Sequence, residues 1–590
     1  MIPAPEEGQN RQVVIIGAGP SGLTAAYELT KLGSQPTVVE KYDKVGGIAR
    51  TENFNGFRFD MGGHRFFSKA KEVNQMWADV LGSEFLRRPR TSRIYYNQKF
   101  FDYPLKPLGA FFGLGLLQSI LIILSYIRWK LFPYKQEETY EQWVTNRFGK
   151  RLFEIFFKAY TEKVWGIPCS ELKAEWAAQR IKDLSLRTAI LSMFQKPKQT
   201  IKTLITEFYY PRFGPGMMWE AVERLVEKGG GQVLLNSNVV RIRRKGSRIE
   251  GIVVSREGQE SEIPGSDFIS SMPIREFIEK LDPPAPIEVQ EAAQRLHYRD
   301  FLTVCLVINR PHLFPDNWIY VHDPTVQVGR IQNFKNWSPD MVPDPSKSSL
   351  GLEYFCNEGD DLWNTADGDL VELAKREIDR IGLANYADVE AGCVFRVEKS
   401  YPIYDADYRD HLGIVRQFVR SLKNFQTIGR NGLHRYNNQD HAMLTGMLAV
   451  RNLWFGEAND VWTVNADQEY HEEIRALEKV VRRRFSKLDR LAFGLSLGVA
   501  SGSALALATL FLVLKGGVVV GPTLDLLNQF FPGYSVSLTG SLVGLAYGFA
   551  AGFIGGWAFA LLRNSAMFLT LAIIRRGAEF QALRRVLDYI

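Results

Sequence analysis

The segment GRNGLHRYNNQDHAM, residues 429–443, packs two arginines, two histidines, a tyrosine and three asparagines into fifteen positions. Neither a core strand nor an ordinary surface helix needs that mixture, so the segment is expected to hold something. A second chemical signature lies far upstream in RQVVIIGAGPSGLTAAYELTKLGSQPTVVEK, residues 11–41. Gly17, Gly19 and Gly22 stand in G-x-G-x-x-G spacing between an apolar strand and a helix. The first glycine permits a tight turn, the second lets backbone approach a pyrophosphate, and the third lets the helix pack on its strand. The helix N-terminus then faces the phosphates. Glu40 closes the strand TVVE and is placed to accept a ribose hydroxyl. The chemistry implied is the binding of a dinucleotide.

These residues need a large scaffold. The chain has 590 residues, a net charge of +7 and 46% hydrophobic residues, enough for two or more packed domains. Much of the positive excess flanks apolar segments near the C-terminus, so it does not point to nucleic acid. The four cysteines, Cys169, Cys305, Cys356 and Cys393, are far apart, which reads as free thiols in a reducing compartment. No metal-ligand spacing and no Ser-His-Asp order stands out. The N-terminus MIPAPEEGQNR lacks a basic-then-apolar signal pattern.

From Leu491 to Leu514 runs an uncharged apolar stretch, and a second ends at Leu562. A helix of about 20 apolar residues spans a bilayer core. The second stretch carries G-x-x-x-G at Gly548 and Gly552, suited to close approach of a partner helix. Arg482, Arg483, Arg484, Lys487 and Arg490 precede the pair, and Arg563, Arg575, Arg576, Arg584 and Arg585 follow it. The positive-inside rule makes this a hairpin with both ends cytoplasmic. The expectation is a membrane protein with its N-terminal domain on the cytoplasmic side and, through G-x-x-x-G, scope for homo-oligomers.

After the acidic strand, EKYDKVGGIARTENFNGFRFDMGGHRF (40–66) carries glycine pairs at Gly46–Gly47 and Gly62–Gly63, with Arg50 between them and His64 after. This resembles the flavoprotein superfamily of amine oxidases, protoporphyrinogen oxidases, phytoene desaturases and UDP-galactopyranose mutase. The resemblance implies FAD, bound non-covalently and extended against Gly46, Gly47, Arg50, Gly62 and Gly63. It also implies an adenine-contacting strand in GQVLLNSNVVRIRRKGSRIEGIVV (231–254), with Val239 at the contact. The fold implied is α/β: a discontinuous Rossmann-type FAD-binding domain (1–70, 205–300, 395–470) with an inserted helical and antiparallel-sheet substrate domain (71–204, 301–394). A basic linker (471–490) and the two-helix transmembrane hairpin with its basic tail (491–590) follow. All flavin-binding parts must share one compartment, so the uncharged stretch Pro107 to Ile127 is expected to be a buried or membrane-dipping helix, not a span.

KAYTEKVWGIPCSELKAEWAAQRIKDL (158–184) is similar to the Y-T-x-K-x-W-G…E-L signature of the mutases, through Tyr160, Lys163, Trp165 and Gly166. GRNGLHRYNNQDHAM resembles their G-R-x-x-x-x-x-Y-x-x-x-D, and KSYPIYD brings Tyr401. The resemblance implies redox-neutral chemistry, with reduced flavin N5 as nucleophile at a sugar's anomeric carbon while a diphosphate departs. Arg180 and Arg430 would grip that diphosphate, Tyr436 would donate a hydroxyl to it, and Asn438 and Gln439 would lie against the flavin pyrimidine. Tyr160, Trp165, Tyr401 and His64 complete the catalytic set, and Tyr209 or Tyr210 would stand near a base. His434 and His441 read as ordinary polar neighbours. The substrate would be a nucleotide-sugar, a glycolipid or another small molecule, with an unidentified reductant starting the flavin. The alternative is a membrane-anchored FAD oxidoreductase acting on an amine or apolar substrate, which leaves the arginines and tyrosines without a task.

Overall fold

Strand Val13–Ile16 is buried at every position and stands at the centre of a five-stranded parallel sheet. Across the sheet the order is Phe425–Thr427, Asp267–Ser270, Val13–Ile16, Thr37–Val39 and Gln232–Leu234. A run of valines and isoleucines buried on both faces is what a parallel strand between helix layers requires. Three distant stretches of chain thus meet in one sheet. The computed structural model describes residues 11–103, 113–174, 207–465, 488–517 and 520–587, and the chain divides into two units, 1–472 and 473–590.

Helix Pro20–Lys31 follows the first strand with Gly19 as its N-cap and no side-chain cap, so its leading amides are left for whatever lies beyond the strand ends. Helix Gln439–Phe455 presses onto it at Gly446, where a Cβ would stand 2.5 Å from the Ser21 carbonyl oxygen. That contact carries Asn438 and Gln439 to the same end of the sheet as the glycine turn.

The substrate part is a seven-stranded sheet in the order Val389–Pro402, Tyr298–Ile308, Ser348–Cys356, Arg330–Asn333, Trp318–Val321, Ser92–Tyr96 and Lys99–Asp102. All neighbours are antiparallel except Trp318–Val321 with Ser92–Tyr96. One face packs on helix Asp367–Ile381 through Leu370, Ala374 and Ile378. The other joins a helical layer through Phe301, Cys305, Tyr140 and Trp143. Strands Tyr298–Ile308 and Val389–Pro402 run unbroken through residues 300 and 395, where the sequence reading divides the two parts. They carry Tyr401 from the substrate sheet to the end of the parallel sheet.

Of the stretch 107–127, residues 116–127 lie in helix Leu116–Leu131. It is not a buried helix. Only Ser119 and Ile122 are buried, while Leu117 is 71% exposed and Leu124 56%.

In the second unit, Arg490–Lys515 and Leu538–Ala566 are long and apolar enough to cross a membrane. They run antiparallel and touch along small residues: a Cβ on Gly548 would stand 2.9 Å from Gly502 Cα, and one on Gly556 3.1 Å from Gly494 Cα. Glycines at four-residue spacing let the backbones meet. The helix that Gly548 and Gly552 approach is therefore the other arm of the same hairpin.

Candidate active site

Two chambers meet at the end of the parallel sheet. The first, about 1150 Å³, is lined by Gly17, Gly19, Glu40, Gly47, Arg50 and Val239 among others. The second, about 880 Å³, lies against the substrate sheet and is lined by residues that include Arg65, Trp318, Arg330, Tyr401 and Tyr436. Five residues line both: Ile48, His64, Arg430, Asn438 and Gln439. The two chambers join at these five residues.

The glycines show what the first chamber is shaped for. A Cβ on Gly22 would sit 2.0 Å from the Gly17 carbonyl oxygen, and Gly17 has φ +97°. Those two are demanded by the protein's own backbone. A Cβ on Gly19 would meet nothing nearer than Gly47 Cα at 3.9 Å, and Gly19 is in ordinary extended conformation. No protein atom forbids a side chain there; the space is kept for a ligand that must touch the backbone beside an uncapped helix N-terminus. This is the fit expected of a pyrophosphate. Gly46 has φ +102° and turns the chain so that Gly47 faces Gly19.

Glu40 ends its strand buried, its Oε2 accepting from Ala18 N–H at 2.8 Å and its Oε1 from Tyr42 N–H at 3.1 Å. Burial raises its pKa, opposed by those two hydrogen bonds. The carboxyl thus braces the glycine turn while still lining the chamber. Arg50 donates from Nε to Glu52 at 2.7 Å and from Nη1 to the Gly47 carbonyl at 3.1 Å, clamping the second glycine turn.

At the junction, His64 Nε2 lies 2.8 Å from the Met61 carbonyl oxygen, which can only accept, so Nε2 carries the proton. Burial, with Arg430 and Arg330 nearby, lowers the His64 pKa to about 4, so the ring is neutral at pH 7. Arg430 donates from Nε to the Asn437 carbonyl at 2.8 Å and from Nη1 to the Ser400 carbonyl at 3.0 Å. Its guanidinium lies 4.6 Å from the Tyr436 ring centroid, and Tyr436 stacks on Tyr401 at 5.4 Å. Gln439 is oriented by Trp219, whose donor-only indole N–H reaches Gln439 Oε1 at 3.1 Å and turns the Gln439 amide NH₂ away from it.

Some expected site residues sit elsewhere. Gly62 and Gly63 line the second chamber, where a Cβ on Gly63 would stand 2.8 Å from Gln332 Nε2. Trp165 is 1% exposed and packs behind the wall, with its ring 6.1 Å from Tyr401 and 6.2 Å from Tyr436. Tyr160 stacks on His322 at 4.8 Å and meets Tyr320 edge-on, one layer behind the chamber. Lys163 donates to the Asp323 carbonyl at 2.6 Å, which ties its helix to the sheet edge, and burial lowers its pKa to about 8. Tyr210 donates its hydroxyl to Asp60 and Tyr209 stacks on Phe85, so neither lines a chamber. His434 and His441 are buried and bonded to backbone, as ordinary polar neighbours are. Arg180 lies outside the described residues.

Other charged residues lie in the second chamber and directly behind its wall. Arg330 and Gln332 alternate on one strand and Glu353 faces Arg330 on the next. Glu353 is fully buried and accepts from Arg330 Nε at 2.8 Å and from Gln332 Nε2 at 2.8 Å. A charged alternation inside apolar strands is costly without a task. Arg65 and Arg90 both lie over the Trp318 ring, at 6.0 and 5.6 Å, and burial followed by Arg65 lowers the Arg90 pKa. Gln332 Oε1 and Trp318 Nε1 are buried without a hydrogen-bond partner among the described residues.

Residues 20–409 match the family described as flavin containing amine oxidoreductase. Among curated proteins, 15-cis-phytoene desaturase of Narcissus pseudonarcissus is 25% identical over 257 residues, 41% of this chain and 43% of that protein. L-amino-acid oxidase of Crotalus adamanteus is 32% identical over 111 residues, 16% of this chain and 22% of that protein. The chain therefore spans less than half the length of these two relatives. Among solved structures, reduced UDP-galactopyranose mutase superposes with a TM-score of 0.67 at 22% identity, covering 78% of this chain and 98% of that one. A putrescine oxidase variant superposes with a TM-score of 0.52 at 18% identity, covering 76% and 99%. Both likenesses are of fold. With a cradle shaped for a dinucleotide pyrophosphate and a family match across most of its length, the chain belongs to the flavin-containing amine oxidoreductase family and is an FAD-dependent enzyme.

Proposed function

We propose that this enzyme acts on a diphosphate-linked sugar in the manner of UDP-galactopyranose mutase, at a site on the cytoplasmic face of a membrane spanned by its C-terminal hairpin. The observation that carries this reading is the second chamber. Arg65, Arg330 and Arg430 line it together with Trp318, Tyr320 and Tyr401. Arg330 and Arg430 are half-buried and Arg65 is exposed at the rim, so an anion set among them is attracted more strongly than in bulk water. Glu353 offsets the charge of Arg330, and a diphosphate would meet the positive charge of Arg65 and Arg430. Gln332 Oε1 and Trp318 Nε1 supply the unspent acceptor and donor that a polyol needs. An apolar hydride donor would use none of these groups.

FAD would be held by Gly19, Gly47, Glu40, Arg50 and Val239, and when reduced it supplies the electron-rich centre for the exchange. Arg430 lines both chambers and is positioned to hold negative charge on a leaving diphosphate. Its two carbonyl bonds and its stack on Tyr436 preorganise it. Neutral His64 adds no second positive charge beside Arg430 at pH 7. Arg180 is the proposed second grip, from its spacing in the sequence.

The test is turnover with dithionite supplied only at the start. A mutase reading requires isomerised product from a nucleotide-sugar panel in excess of the reductant, with no stoichiometric oxygen uptake. Oxygen consumed one-for-one with an amine or isoprenoid, and no product from any diphosphate-sugar, would replace it with the oxidoreductase reading.

A further inference from the structure

Helix Leu116–Leu131 has two unlike faces. The inner one is fixed to the domain: Gln118 Oε1 accepts from Arg151 Nη2 at 3.0 Å, Ser125 Oγ accepts from Arg151 N–H at 3.1 Å, and Ser119 and Ile122 are buried. At Gly149 the chains come so close that a Cβ would stand 2.9 Å from Tyr126 Cα. The outer face presents Leu117, Leu121, Leu124 and Leu131, between 41% and 71% exposed, with Leu116, Ile120 and Ile127 beside them. Contiguous apolar faces of this kind mark an interaction surface.

We infer that this face lies in the plane of a lipid bilayer, as a second membrane contact made by the first unit itself. The occupant follows from three observations. Sixteen residues rise about 24 Å, short of the roughly 30 Å hydrocarbon core, and the inner face is bonded to the domain, so the helix can lie in one leaflet but cannot span the bilayer. The C-terminal end is cationic: Arg128, Lys130 and Lys135 are exposed and have no carboxylate partner among the described residues, while neighbouring Glu137 is held by Arg147. Those charges suit anionic headgroups. The outer face carries no charged side chain from Leu116 to Ile127, as the apolar side of an in-plane helix requires. The identity of the occupant rests on the membrane reading of the hairpin, which already keeps the chain at a bilayer; the helix's in-plane position does not.

The test uses the full chain reconstituted into phosphatidylcholine–phosphatidylglycerol vesicles. Single cysteines are placed in a Cys393→Ser background, because the other three cysteines are buried. The variants are Leu117→Cys and Leu124→Cys on the outer face, Asp369→Cys as an exposed reference, and Leu507→Cys in the hairpin, each labelled with bimane and each checked for bound FAD by absorbance. The expected result is equal loss of emission at 117 and 124 with a shallow doxyl-lipid quencher, protection of both from aqueous iodide, and the reverse at 369. Quenching at 507 with none at 117 or 124 overturns the inference and leaves the hairpin reading standing. No quenching at 507, 117 or 124 removes the hairpin reading and this inference together. A depth that differs between 117 and 124 as in a crossing helix overturns it, as does concentration-dependent self-quenching without a lipid response, which would assign the face to a second copy of the chain.

Discussion

Replacing Gly19 by alanine separates a glycine required by the ligand from one required by the fold. A Cβ at Gly19 has 3.9 Å of clearance and the backbone there, at φ −77°, accepts an L-residue. The flavin-free variant should therefore keep its stability to within about 0.5 kcal/mol. At Gly22 the added carbon would overlap the Gly17 carbonyl oxygen at 2.0 Å, so the helix must shift, at about 1–3 kcal/mol. FAD affinity should respond in the opposite order of selectivity. A methyl at residue 19 holds the pyrophosphate away from the helix amides and removes at least one charge-assisted hydrogen bond, worth about 1.5–3 kcal/mol. That corresponds to roughly 10- to 150-fold in Kd. The assay is denaturant unfolding of flavin-free protein alongside fluorescence titration with FAD. Gly19→Ala should be stable and weak-binding, whereas Gly22→Ala should be unstable before FAD is considered. If Gly19→Ala loses as much stability as Gly22→Ala, or binds FAD normally, the reasoning about which atoms the first chamber is shaped for is refuted.

Arg430→Ala should leave FAD bound, lower stability by about 1–3 kcal/mol through the stranded Asn437 and Ser400 carbonyls, and abolish nucleoside-diphosphate binding; calorimetry that finds affinity retained removes the diphosphate grip. Glu353→Leu leaves Arg330 buried and unpaired, so it should cost about 3–5 kcal/mol, measured by urea unfolding. Burial raises the Asp60 pKa to about 7 from 3.8, so the native state holds that proton more tightly than the unfolded chain. Its contribution to stability is full below pH 4 and is lost as pH rises through 7, by roughly 4 kcal/mol at most. The wild-type minus Asp60→Asn difference in unfolding free energy should fall across that window, and a difference independent of pH would contradict the assignment. Gly548→Ile places a branched chain 2.9 Å from Gly502 Cα and should separate the hairpin arms, read as lost cross-linking between Leu497→Cys and Gly556→Cys, whose Cβ atoms face each other at 3.1 Å.

The dinucleotide cradle was legible because its logic is local: glycine spacing, strand and helix follow one another within residues 11–41, and each glycine has one steric reason. Gly446 was not, since its partner Ser21 is more than 400 residues away. The segment at 429–443 was recognisable as functional by composition alone, yet the division of labour within it needed coordinates. Arg430 and Gln439 face the junction, while His434 and His441 turn inward to backbone. The aromatic run at 160–165 reads as site and folds as the layer behind it, because periodicity does not distinguish a wall from its support. The Arg330–Glu353 pair was not legible for a related reason, since single charges in apolar strands gain meaning only when the register sets them side by side, and the loop residues Arg65 and Arg90 meet only over the Trp318 ring.

The most direct test is the binding of a nucleoside-diphosphate panel, UDP included, to the FAD-loaded full-length protein, first with the flavin oxidised and then reduced. The account predicts binding competed by the parent nucleotide-sugar, tighter in the reduced state, and lost in Arg430→Ala while FAD remains. No diphosphate binding in either state would contradict it and return the second chamber to an amine or apolar redox substrate.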